Sequence, residues 1–156
     1  NWTNNYSILV IISQEIKDLV EHQRLGFVAT VSPDNTPNLS PKGTVIVWQD
    51  EYIVFGDIRS PNTISNIKQN PAVEVNVVDH FKRRGYRFKG SASIINSGDE
   101  YDKIQSIYKD RGIKSKINSV VLVKVSSISQ ITSPLYDLGF TEKEIKEKWK
   151  NHYLSL

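Results

Sequence analysis

Followed for where apolar side chains fall, the chain divides into short strand-like runs set apart by turn chemistry, with four helical stretches between them. GFVATVS (26–32) reads as a strand, and SPDNTP (32–37) as a bend rich in turn formers. A second strand is predicted from about Asn38 to Trp48, which Gln49-Asp50 turns into EYIVFG (51–56). AVEVNVVD (72–79) alternates apolar and polar, as a strand with one buried face does. YRFKGSASII (86–95) and SVVLVKVSSISQI (119–131) bring the expected strands to six. The helical stretches carry start signals. Ser13 precedes Ile16, Leu19 and Val20, with closure near Gly26. Ser60-Pro61 opens a helix with Ile64 and Ile67 on one face, and Asn70-Pro71 ends it. Ser97 and Glu100 have capping-box spacing ahead of Tyr101, Ile104, Ile107 and Tyr108. Thr141 and Glu144 repeat that spacing for a last helix over about 141–153, with Ile145 and Trp149 four apart and Glu142–Lys146 and Glu144–Lys148 as exposed pairs.

Six strands joined mostly by short turns predict a mainly β protein with helical decoration, an antiparallel barrel or sandwich. Residues 26–31, 45–48 and 120–123 are apolar at consecutive positions, so those strands need cover on both faces. Helices supply part of it, and a second copy of the chain is expected to supply the rest, giving a homodimer. Residues 1–12 read as a flexible leader before a single domain over 13–156. Ile8–Ile12 is far too short to cross a membrane, and no basic stretch precedes it as in a signal peptide. Asn1-Trp2-Thr3 matches a glycosylation sequon of three residues, which by itself means little.

Composition narrows the chemistry. With 38% hydrophobic and 24% charged residues the chain is an ordinary globular one. A net charge of +3 is too small to imply nucleic acid. The absence of cysteine excludes disulfides, thiolate metal sites and a cysteine nucleophile, and fits a cytoplasmic protein. His22, His80 and His152 are not at metal-ligand spacing, and no Gly-rich phosphate loop, dinucleotide fingerprint or GxSxG elbow is present. Any hard chemistry therefore belongs to a bound cofactor.

Three stretches invite a ligand. At GDIRSPNTISNIKQNP (56–71) a helix start presents unpaired amides beside Arg59, Ser60, Asn62 and Thr63, which suits a phosphate. Plain capping beside a solvated arginine produces the same sequence. In TPNLSPKGT (36–44) two prolines flank a strand carrying Asn38, Ser40, Lys42 and Gly43, as at an open edge beside a ligand or at a blunted surface hairpin. In HFKRRGYRFKG (80–90) cations interleave with Phe81, Tyr86 and Phe88. Arg84-Gly85-Tyr86 and Phe88 partly match an RNA-recognition strand, but Arg87, Lys89 and Ser91 break the match. Outward cations facing an anionic cofactor or a partner subunit are the other reading, with Lys82 and Arg83 as solvated loop charge.

Together RLGFVATVSPDNTPNLSPKGT (24–44), YIVFGDIRSPNTISNIKQNP (52–71) and RGYRFKGSA (84–92), in that order, resemble the pyridoxamine 5'-phosphate oxidase-like FMN-binding split-barrel family. The resemblance spans most of 13–131 and implies a six-stranded antiparallel split β-barrel of Greek-key type, dimeric, with FMN at the subunit interface. By position it implies that Asn38, Leu39, Ser40 and Lys42 border the flavin ring and phosphate. Gly56 and Asp57 fall at the ring-side strand end, and Arg59, Ser60, Asn62 and Thr63 receive the phosphate. Gly85 and Arg87 fall near a polar contact to the flavin. The departures are specific: two basic phosphate contacts of the oxidase fall on Asn62 and Thr63, and where the oxidase has a C-terminal segment with Arg and His that hold its substrate phosphate, this chain has a Lys/Glu-rich helix with Trp149 and no arginine beyond Arg111. The expectation is therefore an FMN-dependent oxidoreductase acting on an unidentified small molecule, not a true pyridoxamine-phosphate oxidase. A non-catalytic flavin or haem carrier or redox sensor is the alternative, and an RNA-binding module a weaker one. Neither a membrane nor a metal is expected to take part.

Overall fold

Between Asn38 and Trp48 the chain makes two strands where the apolar pattern predicts one. The computed structural model describes residues 9–156; the first seven polar residues, the sequon and Ile8 lie outside the described residues. Strands β1 (Gly26–Val31), β2 (Pro37–Lys42), β3 (Ile46–Trp48), β4 (Tyr52–Asp57), β5 (Ala72–Asp79), β6 (Arg84–Ile95) and β7 (Ser119–Thr132) form one antiparallel sheet in the order β2-β1-β5-β6-β7-β4-β3. The expected six strands are thus seven. The reason is visible in the pairing: Lys42 lies opposite Gly26 on β1, whereas Ile46 lies opposite Val54 on β4. Gly43–Val45 carries the chain from one end of the sheet to the other. Four Cα steps reach at most about 15 Å, so the sheet has to curl until its two ends nearly meet. β2 and β3 do not pair, and the barrel stays split rather than closed.

The curl makes an inside and an outside, and each has its own core. Inside, Val28, Val45, Phe55, Val75, Phe88, Val121 and Val123 pack with Ile12, Ile16 and Val20 from the start of the chain and from helix α1 (Gln14–Gln23). The end of the expected leader is therefore anchored: Ile12 is buried and its amide donates to the Asp50 carbonyl at 2.7 Å. Outside, Ile46, Val54, Val120 and Leu122 pack against Ile104 and Tyr108 of helix α3 (Asp99–Asp110). That second layer explains why residues 120–123 are buried at every position. Over β1 no such cover is present among the described residues. Phe27 remains 38% exposed, and Leu39 on β2, opposite Ala29, is 67% exposed.

Local signals decide most of the ends. The Ser13 hydroxyl accepts from the Ile16 amide at 3.4 Å, and Thr141 and Glu144 form the reciprocal capping box of helix α4 (Glu142–Leu154). Gln49 and Asp50 both take positive φ, as the tight β3–β4 turn requires. The box predicted at Ser97 does not form. α3 starts after Gly98, with Asp99, Glu100 and Asp102 in its first turn to complement the macrodipole, and Glu100 accepts instead from Trp48 Nε1 at 3.1 Å.

The basic run 82–84 is half-exposed but held by contacts to the C-terminal helix. Arg83 stacks on Trp149 at 3.7 Å and donates to Tyr153 Oη at 3.2 Å. Lys82 and Arg84 both reach Glu142, at 3.4 and 2.8 Å, so Glu142 turns to the hairpin rather than along its own helix to Lys146. Phe88, offered as a stacking aromatic, is fully buried. These contacts hold α4, of which Ile145 alone is buried, against the β5–β6 hairpin. Trp149→Ala removes a cation–π contact of about 0.5–2 kcal/mol together with the packing around it. The expected outcome is faster proteolysis in the loop at 137–141 with an unchanged main melting transition; resistance equal to the parent would show that α4 is held by other contacts.

Candidate functional site

The alternation of β2 puts Pro37, Leu39 and Pro41 outward and Asn38, Ser40 and Lys42 inward. Lys42 ends up 7% exposed, the one buried charged side chain among the described residues. Its Nζ donates to Ser40 Oγ at 3.0 Å and to Ser60 Oγ across the barrel's end. Among the described residues no carboxylate lies within ion-pairing distance of it, although Asp57 is near enough to favour its charge. Burial holds the ammonium below the ordinary lysine range, and Asp57 only partly offsets this.

Ser60 stands at the N-cap of helix α2 (Pro61–Gln69) but does not cap it. Its side chain makes no bond to the helix amides, because its hydroxyl accepts from Lys42 instead. Its carbonyl still receives the first helical bond, from the Ile64 amide at 3.0 Å. The amides of Asn62 and Thr63 therefore face forward without a helical partner. Arg59 is exposed beside them and has no carboxylate partner among the described residues. Ser60 itself is buried at 8% exposure, while Arg59, Pro61 and Asn62 around it are exposed.

Lys42, Gly43, Thr44, Gly56, Arg59 and Ser60 line one open cavity of about 510 Å³. Thr44 fastens its rim: Thr44 Oγ1 accepts from the Gly56 amide at 2.8 Å, and its carbonyl accepts from the buried Tyr108 hydroxyl at 2.8 Å. Burial raises the Tyr108 phenol well above its ordinary range, so it stays a donor. A second cavity of about 510 Å³ opens on the other side of Asp57, whose carboxylate accepts from Ser119 Oγ at 3.3 Å.

A site with two cations, free helix amides and hydroxyls, set on this split sheet, can be compared with known proteins. The sequence profile described as pyridoxamine 5'-phosphate oxidase matches residues 12–131. The chain belongs to that family. Among solved structures, HupZ of Group A Streptococcus is similar at 31% identity over 79% of this chain and 96% of that one, with a TM-score of 0.71. An FMN-binding protein from Syntrophomonas wolfei shares the fold at 15% identity, covering 77% and 86% of the two chains, with a TM-score of 0.67. A pyridoxamine 5'-phosphate oxidase-like protein from Lactobacillus delbrueckii does so at 21% identity, covering 76% and 93%, with a TM-score of 0.64. No curated protein matches the chain. The family match ends before α4, so the helix that grips the β5–β6 hairpin lies beyond the matched residues.

Of the residues singled out in the sequence, the fold gathers Ser40, Lys42, Gly56, Arg59 and Ser60 at one place, with Asp57 alongside. The other side chains do not line that cavity. Asn38 lies beneath α2, where its amide and that of buried Asn66 point to the Thr30 hydroxyl at 3.5 and 3.0 Å. Thr63 is buried, Asn62 exposed, and Leu39 faces outward. Arg87 is on the outer face of the sheet, ion-paired with Glu74 at 2.9 Å. Gly85 is buried against the β5 backbone, which gives it a packing role. Thr44, Tyr108 and Ser115, a further lining residue, were not anticipated. Thr44 closes a stretch already suspected, but Tyr108 reads in sequence only as part of an apolar helix face, and Ser115 sits in no motif.

Proposed function

We propose that this protein binds FMN and works as an FMN-dependent oxidoreductase on a small molecule. The observation that carries the reading is the Lys42–Ser60 contact at the start of α2, which leaves the α2 amides uncapped beside a free arginine. This donor set fits a phosphate: two cations and two forward-facing amides, with Asp57 the only acid alongside. In this reading Arg59, Ser60 and the amides of Asn62 and Thr63 hold the phosphate, while Lys42, Ser40 and the Gly43–Thr44 backbone border the ring. FMN, when bound, supplies the ring that accepts a hydride or electrons. The protein's part is to hold the phosphate, fix the ring's place and exclude water from it.

A homodimer belongs to the same proposal. Phe27, Leu39 and the outward prolines of β2 form an apolar outer face that no element among the described residues covers, and a second copy would bury it and complete the flavin site.

The test is the visible spectrum of the purified protein with FMN titrated in, alongside Arg59→Ala. Arg59 is exposed and the variant leaves the Lys42–Ser60 contact in place, so it separates binding from folding. Loss of one charge-assisted hydrogen bond, about 1.5–3 kcal/mol, is expected to weaken FMN by roughly tenfold or more at an unchanged melting temperature. A protein that stays colourless with saturating FMN would refute the proposal, and unchanged affinity in Arg59→Ala would refute the phosphate site. Oxidation of a reduced nicotinamide or deazaflavin by the FMN-loaded protein separates an enzyme from a carrier.

A further inference from the structure

The flavin reading uses the charge of Lys42 but not the nucleophilicity of its amine. We propose that Lys42 is a carbonyl-trapping nucleophile: its Nζ forms an imine with a small aldehyde or ketone that carries a carboxylate or phosphate, the anionic end resting on Arg59.

The geometry argues for this in three ways. Lys42 is the one buried charged side chain among the described residues, it has no carboxylate pair, and it lines a cavity of about 510 Å³ open to solvent. An ammonium in such a place is disfavoured relative to the neutral amine, which is the nucleophilic form. Its partners are two serine hydroxyls, which can accept from the ammonium or donate to the amine lone pair, so the amine is tolerated there in either state. Within the same cavity Arg59 supplies an unpaired guanidinium, which fixes a planar carboxylate or a phosphate by paired hydrogen bonds. Asp57 at the end of β4 is the charged group near enough to act on the amine, and Arg59 before α2 lines the same cavity.

The reaction balances without a redox partner. The Nζ lone pair bonds to the carbonyl carbon, the carbonyl oxygen takes up the proton that nitrogen releases, and the carbinolamine loses water to leave a C=N bond. Water reverses it. The proposal needs the lysine and the cavity, not the flavin, and its test reads a covalent bond instead of a flavin spectrum.

The purified chain is incubated near neutral pH with glyoxylate and sodium cyanoborohydride, which freezes an imine as a secondary amine, and modified lysines are located by peptide mass mapping. Lys42 is expected to be labelled roughly tenfold faster than exposed lysines such as Lys146 and Lys150, the factor that ~1.4 kcal/mol supplies. Propanal, which has the carbonyl without the anion, is expected to lose that preference, and Arg59→Ala is expected to lose it with glyoxylate. Lys42→Arg should leave only slow surface labelling. Labelling of Lys42 no faster than the exposed lysines, or only after unfolding in urea, would overturn the proposal. Equal preference for propanal and glyoxylate would overturn the anionic part of it.

Discussion

Gly90→Ala is expected to lower stability by about 3 kcal/mol or more, toward the upper end of what overpacking costs. A Cβ at this position would stand 2.1 Å from the Lys124 carbonyl oxygen and 2.9 Å from its carbon, both backbone atoms of β7. A flexible side chain could swing away, but a strand backbone can move only by stretching the ladder it belongs to. Gly90 also follows the one register shift in the β6–β7 pairing, where the strands already depart from regular spacing. For a chain of this length, each kcal/mol lowers Tm by about 2–4 °C, so a fall of roughly 6–12 °C is expected. Urea denaturation should show a lower midpoint at unchanged slope. Gly43→Ala is the control, since its Cβ would meet nothing closer than the Arg24 carbonyl at 3.9 Å and its φ is not positive. A Gly90 variant as stable as that control would show that the β6–β7 contact is looser than described.

Lys42→Met is expected to act in opposite directions on stability and on ligand binding. In the free protein a buried cation without a counter-charge is replaced by an apolar chain of similar length, which is neutral to stabilising by about 1–2 kcal/mol. Ser60, released from Lys42, can also turn to the α2 amides and cap them, a contact of typically ~1 kcal/mol. Binding of FMN is expected to weaken by roughly tenfold or more, because a cation bordering the anion is lost. The pH dependence gives a second signature. Lys42 is depressed in the folded state, so between its depressed value and the ordinary lysine value the unfolded chain binds more protons than the folded one. Stability contributed by Lys42 therefore rises as pH climbs through that window, and its penalty is fully present below it. The advantage of Lys42→Met should shrink as pH rises toward the ordinary lysine value, about 10.4. Tyr108 acts the other way at higher pH: its raised phenol keeps its proton when the unfolded tyrosine has lost its own, which lowers stability above about pH 10. Urea midpoints of both proteins across this range test the sign, and a gap that widens with pH would contradict a depressed Lys42.

How much of this could be read from the chain alone differs by element. The Ser13 and Thr141 caps, the Gln49-Asp50 turn and the alternation of 72–79 formed as expected, because each is settled by contacts within a few residues. The caps expected at Ser97 and Ser60 did not form. In both places a side chain found a partner far along the chain: Glu100 took Trp48, and Ser60 took Lys42. The basic run at 82–84 misled for the same reason, since Glu142 and Trp149 lie more than fifty residues further on.

By itself the sequence determined that the protein is β-rich, that α2 starts at Ser60-Pro61, and which family it belongs to. Those properties are written in local periods and in the order of short motifs. Only the tertiary structure decided that 38–48 is two strands at opposite ends of one sheet, that Lys42 is buried, and that Ser60 serves the lysine rather than the helix. Curling the sheet is what makes those neighbours. A pattern read along the chain has no term for the distance between its two ends.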